Sequence, residues 1–326
     1  MNVIVTGSAG YIGGLLVKKL SADASVKQIV GIDLLPEPKE MLSDPKVRWI
    51  QADLAVKGWE DELPKDLPID AVIHCAFKIR NPYGKRKEIE ANNVGASRAV
   101  FEFSIRRNIP KLIYLSTVSV YGAKPENIGR FLSEDEPLSE RENPYGYQKI
   151  LTEHDLSLLM KKNKTTTQVF VLRLNSVTGP VGQSLGSKFG LITFLKKLLP
   201  VIIEANPNWA RQFVHEDDVV EIIYLLTVKG AMNPGTALNI FNVAPRAFLT
   251  AKDMGRVLGK KRLIVPPKMI KPLFFLAWHI SLGRIPTRPD STMGMIYPIN
   301  VDGSRIEKAT GFHYAHTAED AFMGRK

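Results

Sequence analysis

Runs of consecutive apolar residues recur along the first half of the chain: Asn2–Thr6, Gln28–Asp33, Val47–Ala52, Ala71–Ala76, Lys111–Thr117 and Thr167–Asn175. Each is five to nine residues rich in Val, Ile and Leu, which marks strands covered on both faces rather than strands with one wet side. Between several of them the apolar spacing changes to the helical period, as at Ala96, Ala99, Val100 and Phe103. Alternating buried strands and amphipathic helices predict a doubly wound parallel α/β sheet of the Rossmann kind.

Beyond residue 175 the pattern breaks. Gly179, Pro180, Gly182, Gly186, Gly190 and Pro200 punctuate it. Helices are expected at Leu191–Leu199, Val219–Val228, Thr250–Leu258 and around Lys271–Leu282, with short strands at Ala237–Ala244 and Arg262–Val265. This predicts a dinucleotide-binding domain over 1–175 and a smaller mixed α/β lobe over 176–326, with some segments of the second half returning to the first. Asp217 or Asp218 is expected to cap the helix that begins at Val219.

Composition narrows the picture in three places. One cysteine in 326 residues, Cys75, leaves no internal disulfide and suits a reducing compartment. The start MNVIVTG carries neither a basic n-region nor an apolar h-region, so no signal peptide is expected and a cytoplasmic location follows. The apolar stretch Pro272–Leu282 is too short to span a bilayer and is expected as a packed helix of the second lobe, a membrane-touching or partner-binding helix being the lesser alternative. The net charge of +11 suits an anionic ligand, but its cations are scattered and not interleaved with aromatics, so no nucleic-acid partner is expected.

The chemistry begins at Gly7-Ser-Ala-Gly10-Tyr11-Ile12-Gly13, between a strand and a helix. Glycines there let backbone approach a pyrophosphate, which then meets the helix N-terminus. Asp33 ends the second strand about 20 residues beyond, where a carboxylate binds ribose hydroxyls and repels a 2′-phosphate. NAD is therefore the expected cofactor. Asp53 and Leu54, ending the third strand, are candidates for the adenine side. At the end of the fifth strand Thr117 opens a hydroxyl run, and Tyr145 and Lys149 stand four apart on one predicted helix. An ammonium near a phenol favours the phenolate, so Tyr145 could exchange a proton with a substrate oxygen held by Thr117 while a hydride moves. No metal is called for.

The series TGSAGYIG, Asp33, HCAF, NNVGAS, LSTVSVYG, YGYQK, LRLNSVTGP, RQFVHEDDV and DGSRIEKATGF, in this order, resembles the extended short-chain dehydrogenases, the NAD-dependent epimerase/dehydratase branch. The resemblance implies Thr117, Tyr145 and Lys149 as the catalytic set, with Lys149 also on the nicotinamide ribose. It implies Gly7, Gly10, Gly13, Asp33, Ala76 and Phe77 at NAD, and Asn93 in support. Many relatives have alanine where Phe77 stands. It assigns His74 a structural role, gives His215 no catalytic one, and implies Arg211 at a substrate diphosphate.

Two departures matter. Dehydratases of the branch carry an Asp-Glu pair after the threonine; here the residues are Val118 and Ser119, which excludes that chemistry. The asparagine expected at the sixth strand's end is replaced by Ser176, with Asn175 one place early and so turned to the other face. The expectation is an NAD-dependent enzyme acting on a hydroxyl or keto carbon, most like a nucleotide-sugar epimerase. Rivals are a simple dehydrogenase or ketone reductase on an apolar steroid- or flavonoid-like substrate, and a cofactor-binding sensor without catalysis. A homodimer through helices near 93–107 and 145–161 is also implied.

Overall fold

The computed structural model describes residues 1–39, 41–64, 67–79, 84–185, 194–229, 237–285 and 288–326. Its strands are β1 (Asn2–Thr6), β2 (Gln28–Asp33), β3 (Val47–Gln51), β4 (Ala71–His74), β5 (Lys111–Thr117), β6 (Gln168–Leu174), β7 (Ser176–Thr178), β8 (Val201–Glu204), β9 (Ala210–Arg211), β10 (Phe213–His215), β11 (Leu238–Val243), β12 (Leu249–Thr250) and β13 (Lys261–Ile264). Seven form one sheet in the order β11-β6-β5-β4-β1-β2-β3, and every pairing in it is parallel.

Strand alternation sorts the apolar residues onto two faces. Val3, Val5, Ile29, Ile73, Ile113 and Phe170 face a cluster with Leu16, Val17 and Leu20 of helix α1 (Tyr11–Ser21) and Val219, Ile222, Ile223 and Leu226 of the helix Glu216–Val228. Ile4, Val30, Val72, Leu112, Tyr114 and Val169 face the other cluster, with Val100, Phe101 and Phe103 of α2 (Arg86–Arg106) and Leu156 of α3 (Pro144–Lys162). Each such side chain taken fully from water contributes about 1.5–3 kcal/mol. The doubly wound reading is therefore the structure. The strand order reverses between β1 and β4, and the carboxyl ends there open a crevice suited to a ligand.

The second half divides itself between the layers. The strand expected at 237–244 is β11, the sheet's edge beside β6. Its residues Phe241 and Val243 enter one sheet-face cluster and Leu238 and Ile240 the other. The helix Glu216–Val228 likewise covers the first domain. What remains is a small lobe built on β8 with β13, β9 with β12, and β7 with β10. Trp209, Phe213, Leu249, Met254 and Phe322 fill its core.

Three expectations change. The helix expected from Val219 starts at Glu216, and its cap is neither aspartate: His215 Nδ1 accepts from the Asp217 amide at 3.2 Å. Asp218 instead accepts from the amides of Ala315 and His316, because an inward turn of helix aims it at that loop. The apolar helix runs Pro267–Ile280 and buries only Ile270, so it packs against the lobe by one stripe and leaves most of its apolar residues outside. Of the helix expected over 191–199, residues 191–193 lie outside the described residues, and Phe194–Leu198 forms a π-helical turn.

Candidate active site

The turn after β1 is built so that only glycine fits. Gly7 has φ +70°, and a Cβ there would stand 2.6 Å from the Ala76 amide nitrogen. A Cβ on Gly13 would stand 2.1 Å from the Gly7 carbonyl oxygen, and one on Gly10 2.9 Å from the same atom. The turn thus lies against the loop after β4, leaving the start of α1 open to a ligand's phosphates. Asp33 is tied to the turn: one oxygen accepts from the Ala9 amide at 3.0 Å, the other from Leu35 at 3.0 Å. The cradle fits a dinucleotide, since a carboxylate at the strand end and three side-chain-free positions are the features such a ligand needs.

Other candidates at this end are occupied by the protein. The Tyr11 hydroxyl donates to Glu216, and Ile12 packs against the sheet-face cluster, so each offers the cofactor backbone only. Leu54 is buried in the opposite cluster. Asp53 accepts from the Ala55 amide at 2.9 Å, a local turn bond.

At the carboxyl end of β5, Thr117 accepts from the Ser119 amide at 3.2 Å. Helix α3 starts at Pro144, capped by Asn143, whose side chain accepts from the Tyr145 amide at 3.0 Å. One turn into it, Lys149 is buried and donates to the Leu115 carbonyl at 2.5 Å. Its ammonium lies 3.7 Å from the centre of the Phe77 ring and 4.5 Å from that of Tyr114. Phe77 meets Tyr145 edge to face at 5.8 Å. The structure therefore brings Phe77, Tyr145 and Lys149 into one cluster at the end of β5.

Burial lowers the Lys149 ammonium to about 7, against the opposing pull of Glu153 and Cys75. Burial raises the Tyr145 phenol to about 12, with Thr117 pulling it back in part. Asn93, on α2, makes no open contact: its amide donates to the Lys78 carbonyl at 3.0 Å and to Gln148 at 2.8 Å, and its oxygen accepts from the Lys78 amide. It braces the loop that carries Phe77 against α3.

Glu153 lies outside the ordered motifs, and Arg173 and His74 within them have roles that the motifs leave unstated or only structural. Glu153, one turn after Lys149, is buried with Arg173 at 2.7 Å and accepts from Ser116 at 2.5 Å. Arg173 also donates to the Tyr121 hydroxyl at 2.8 Å and the Glu134 carbonyl at 3.0 Å. His74 lies buried between Thr6, at 2.7 Å, and Ser97, at 3.0 Å, and burial drives it down to about 3. A carboxylate four residues after Lys149 was the one available hint for Glu153; only folding shows that it is buried and that Arg173 faces it.

On the substrate side Arg211 Nε donates to Ser176 Oγ at 2.8 Å, and burial lowers the guanidinium. Among the described residues no carboxylate pairs with it. The Asn175 amide donates to Gln212, a buried hub that also bonds Pro245 and Val301. Ser176 and Arg211 are thus brought together, and Asn175 Oδ1 accepts from the Ser176 amide at 2.7 Å and from its hydroxyl at 3.4 Å. Val118 is buried and Ser119 neutral, so no carboxylate follows Thr117. His215 uses both ring nitrogens, as helix cap and toward the Arg325 carbonyl at 2.9 Å.

Comparison with known proteins agrees with this geometry. The chain is 33% identical to the UDP-glucose 4-epimerase of Azospirillum brasilense over 157 residues, 48% of this chain and 43% of that protein. It is 27% identical over 228 residues to the ADP-L-glycero-D-manno-heptose-6-epimerase of Brachyspira hyodysenteriae, covering 68% of this chain and 70% of that one. The first match spans less than half of its relative's length. In three dimensions the chain overlays a variant of UDP-glucuronic acid 4-epimerase from Bacillus cereus in complex with UDP-4-deoxy-4-fluoro-glucuronic acid and NAD. The TM-score is 0.73 at 19% identity, covering 100% of this chain and 98% of that one, a likeness of fold. The family model for the NAD dependent epimerase/dehydratase family matches residues 3–244. With a glycine cradle, an acidic second strand and the Thr117–Tyr145–Lys149 cluster in one parallel sheet, the chain belongs to the NAD dependent epimerase/dehydratase family.

Proposed function

We propose that the protein is an NAD-dependent epimerase of a nucleotide sugar. The observation that carries this is the cluster at the end of β5: a half-buried phenol, a buried ammonium one helical turn on, and Thr117 beside them. Gly7, Gly10, Gly13 and Asp33 would hold NAD, whose nicotinamide accepts and returns a hydride when bound. Tyr145 as phenolate takes the proton of a sugar hydroxyl as its C–H hydride leaves, and the carbon becomes a ketone. After the ketone turns, the phenol returns the proton as the hydride comes back to the opposite face. Lys149 favours the phenolate by charge, and Thr117 holds the reacting oxygen. The paired Arg211 and Ser176 suit a diphosphate, which guanidinium grips through two parallel bonds.

The lack of acid groups at Val118 and Ser119 supports epimerisation over dehydration. Two relatives in sequence are epimerases and a third, from Arabidopsis thaliana, is a trifunctional protein that includes a 4,6-dehydratase, so the choice rests on Val118 and Ser119. Denaturing the purified protein should release NAD, and UDP-glucose or a related nucleotide sugar should convert to its epimer without net NADH. Accumulation of NADH, with turnover requiring added NAD, would overturn epimerisation and leave a net dehydrogenase. Phe77 is the observation that favours this second reading, since its ring beside Tyr145 suits an apolar substrate face. Pairing of two copies through α2 and α3, and a reducing cellular compartment, complete the proposal.

A further inference from the structure

We propose that the outward face of the helix Pro267–Ile280 docks this protein onto an anionic lipid-bilayer surface. The helix joins the body by one stripe: Ile270 is buried, and it and Phe274 pack with Ala205, Val265 and Ile296. A second stripe, Met269, Leu273, Leu276 and Ile280, is exposed and follows the i, i+4, i+7, i+11 spacing of a single helix face. Leu276 is 57% exposed, Ile280 74%, and Phe275 beside them 55%. Leu263 and Ile264, on the strand leading into this helix, are exposed as well, and so is Leu282 just beyond it. A concentration of large apolar side chains on so short a segment marks an interaction face.

Charge identifies the occupant. From Met254 to Pro289 the chain has no Asp or Glu, while Lys260, Lys261, Arg262, Lys268, Lys271 and Arg284 flank the apolar residues. Some of these are held within the body: Arg262 pairs with Glu204 and Lys260 bonds three carbonyls. Lys271 lies 3.8 Å from Glu142 in a solvated pair. Lys261 and Lys268 are exposed, as is Arg284, and none pairs with a carboxylate among the described residues. A second copy laid on this face would set these cations against their own images, which argues against self-association. A surface of anionic headgroups over acyl chains meets both features at once. At 14 residues the helix would lie along that surface, and no helix among the described residues is long and apolar enough to cross it.

The test is sedimentation of the full chain with vesicles of phosphatidylcholine alone and with about one third phosphatidylglycerol, at low and high salt. Wild type should sediment with the anionic vesicles, and less so with neutral ones or in high salt. Phe275→Asp with Leu276→Asp should abolish sedimentation while leaving the thermal melt and NADH binding unchanged, since both residues face outward. Lys268→Glu with Lys271→Glu should weaken it about tenfold or more, as each cation near such a surface counts for about fivefold. Wild type staying in the supernatant, or the double Asp variant binding as well as wild type, would overturn the proposal. So would light scattering that shows a dimer dissociated by the Asp pair without any vesicle binding, which would assign the face to a second copy.

Discussion

Tyr145 and Lys149 show how one environment sets two opposed demands. Burial holds the phenol up at about 12 and the ammonium down at about 7, so each group alone resists the charge it must carry. Tyr145→Phe removes only the hydroxyl; turnover should fall by about 10²–10⁴, with NADH fluorescence titration showing unchanged binding. Lys149→Met should abolish turnover and yet stabilise the fold. The folded ammonium titrates below its unfolded value of about 10.4, so the unfolded chain binds the extra proton between about 7 and 10. The penalty is absent above that window, grows as pH falls through it, and is complete below about 7. Urea denaturation at pH 7 should therefore show a gain for the variant of up to about 4 kcal/mol, reduced by the lost Leu115 bond, and little gain at pH 10. Equal stability of the two proteins at both pH values would refute this account. Spacing put the two on one helix face, and the glycine turn, acidic strand end and Thr117 around them made them a candidate pair. The Phe77 ring capping the ammonium was not legible, because spacing across 72 positions of chain carries no distance.

The strands and helices hold that pair through two buried polar ties. His74 on β4 links Thr6 of β1 to Ser97 of α2, with its ring held neutral by burial. Its folded value of about 3 lies below the ordinary 6.5, so the unfolded state gains a proton first as pH falls. Stability from this group is present above 6.5 and lost as pH drops toward 3, by about 2 kcal/mol at pH 5. His74→Asn should flatten that acid slope in denaturation curves taken from pH 7.5 to 5. The second tie is Arg173 on β6 with Glu153 on α3. Arg173→Met would leave a buried carboxylate unpaired, at a cost of about 3–5 kcal/mol. Adding Glu153→Gln in the same chain should restore much of it, and a double variant no better than the single would sink the ion-pair explanation. Strands and helices were largely readable from apolar periodicity, since burial on two faces leaves a continuous run. Capping was not: the helix at 216 starts on His215, and a ring nitrogen does the work expected of an aspartate.

The two halves of the chain meet at Glu216, buried against the second half's own turn. Its carboxylate accepts from the amides of Val181 and Gly182 at 2.8 Å each, and from the Tyr11 hydroxyl beside the glycine cradle. Glu216→Leu should raise hydrogen exchange across 178–185 while the sheet strands keep their protection; unchanged exchange there would show the link to be idle. Periodicity, glycine spacing and the ordered motifs were enough to settle the doubly wound sheet, the cradle and the family, because each depends on contacts close in sequence or on a repeating pattern. Where β11 and the helix Glu216–Val228 belong depended on which layer still lacked cover, a property of the assembled sheet. Likewise, that Ser176 rather than Asn175 meets Arg211 follows from the packing of β7 beside β10, with Gln212 claiming the asparagine. The exposed face of Pro267–Ile280 belongs with these: an apolar run reads the same whether a core covers it or not, and only the folded chain shows which side was left outside.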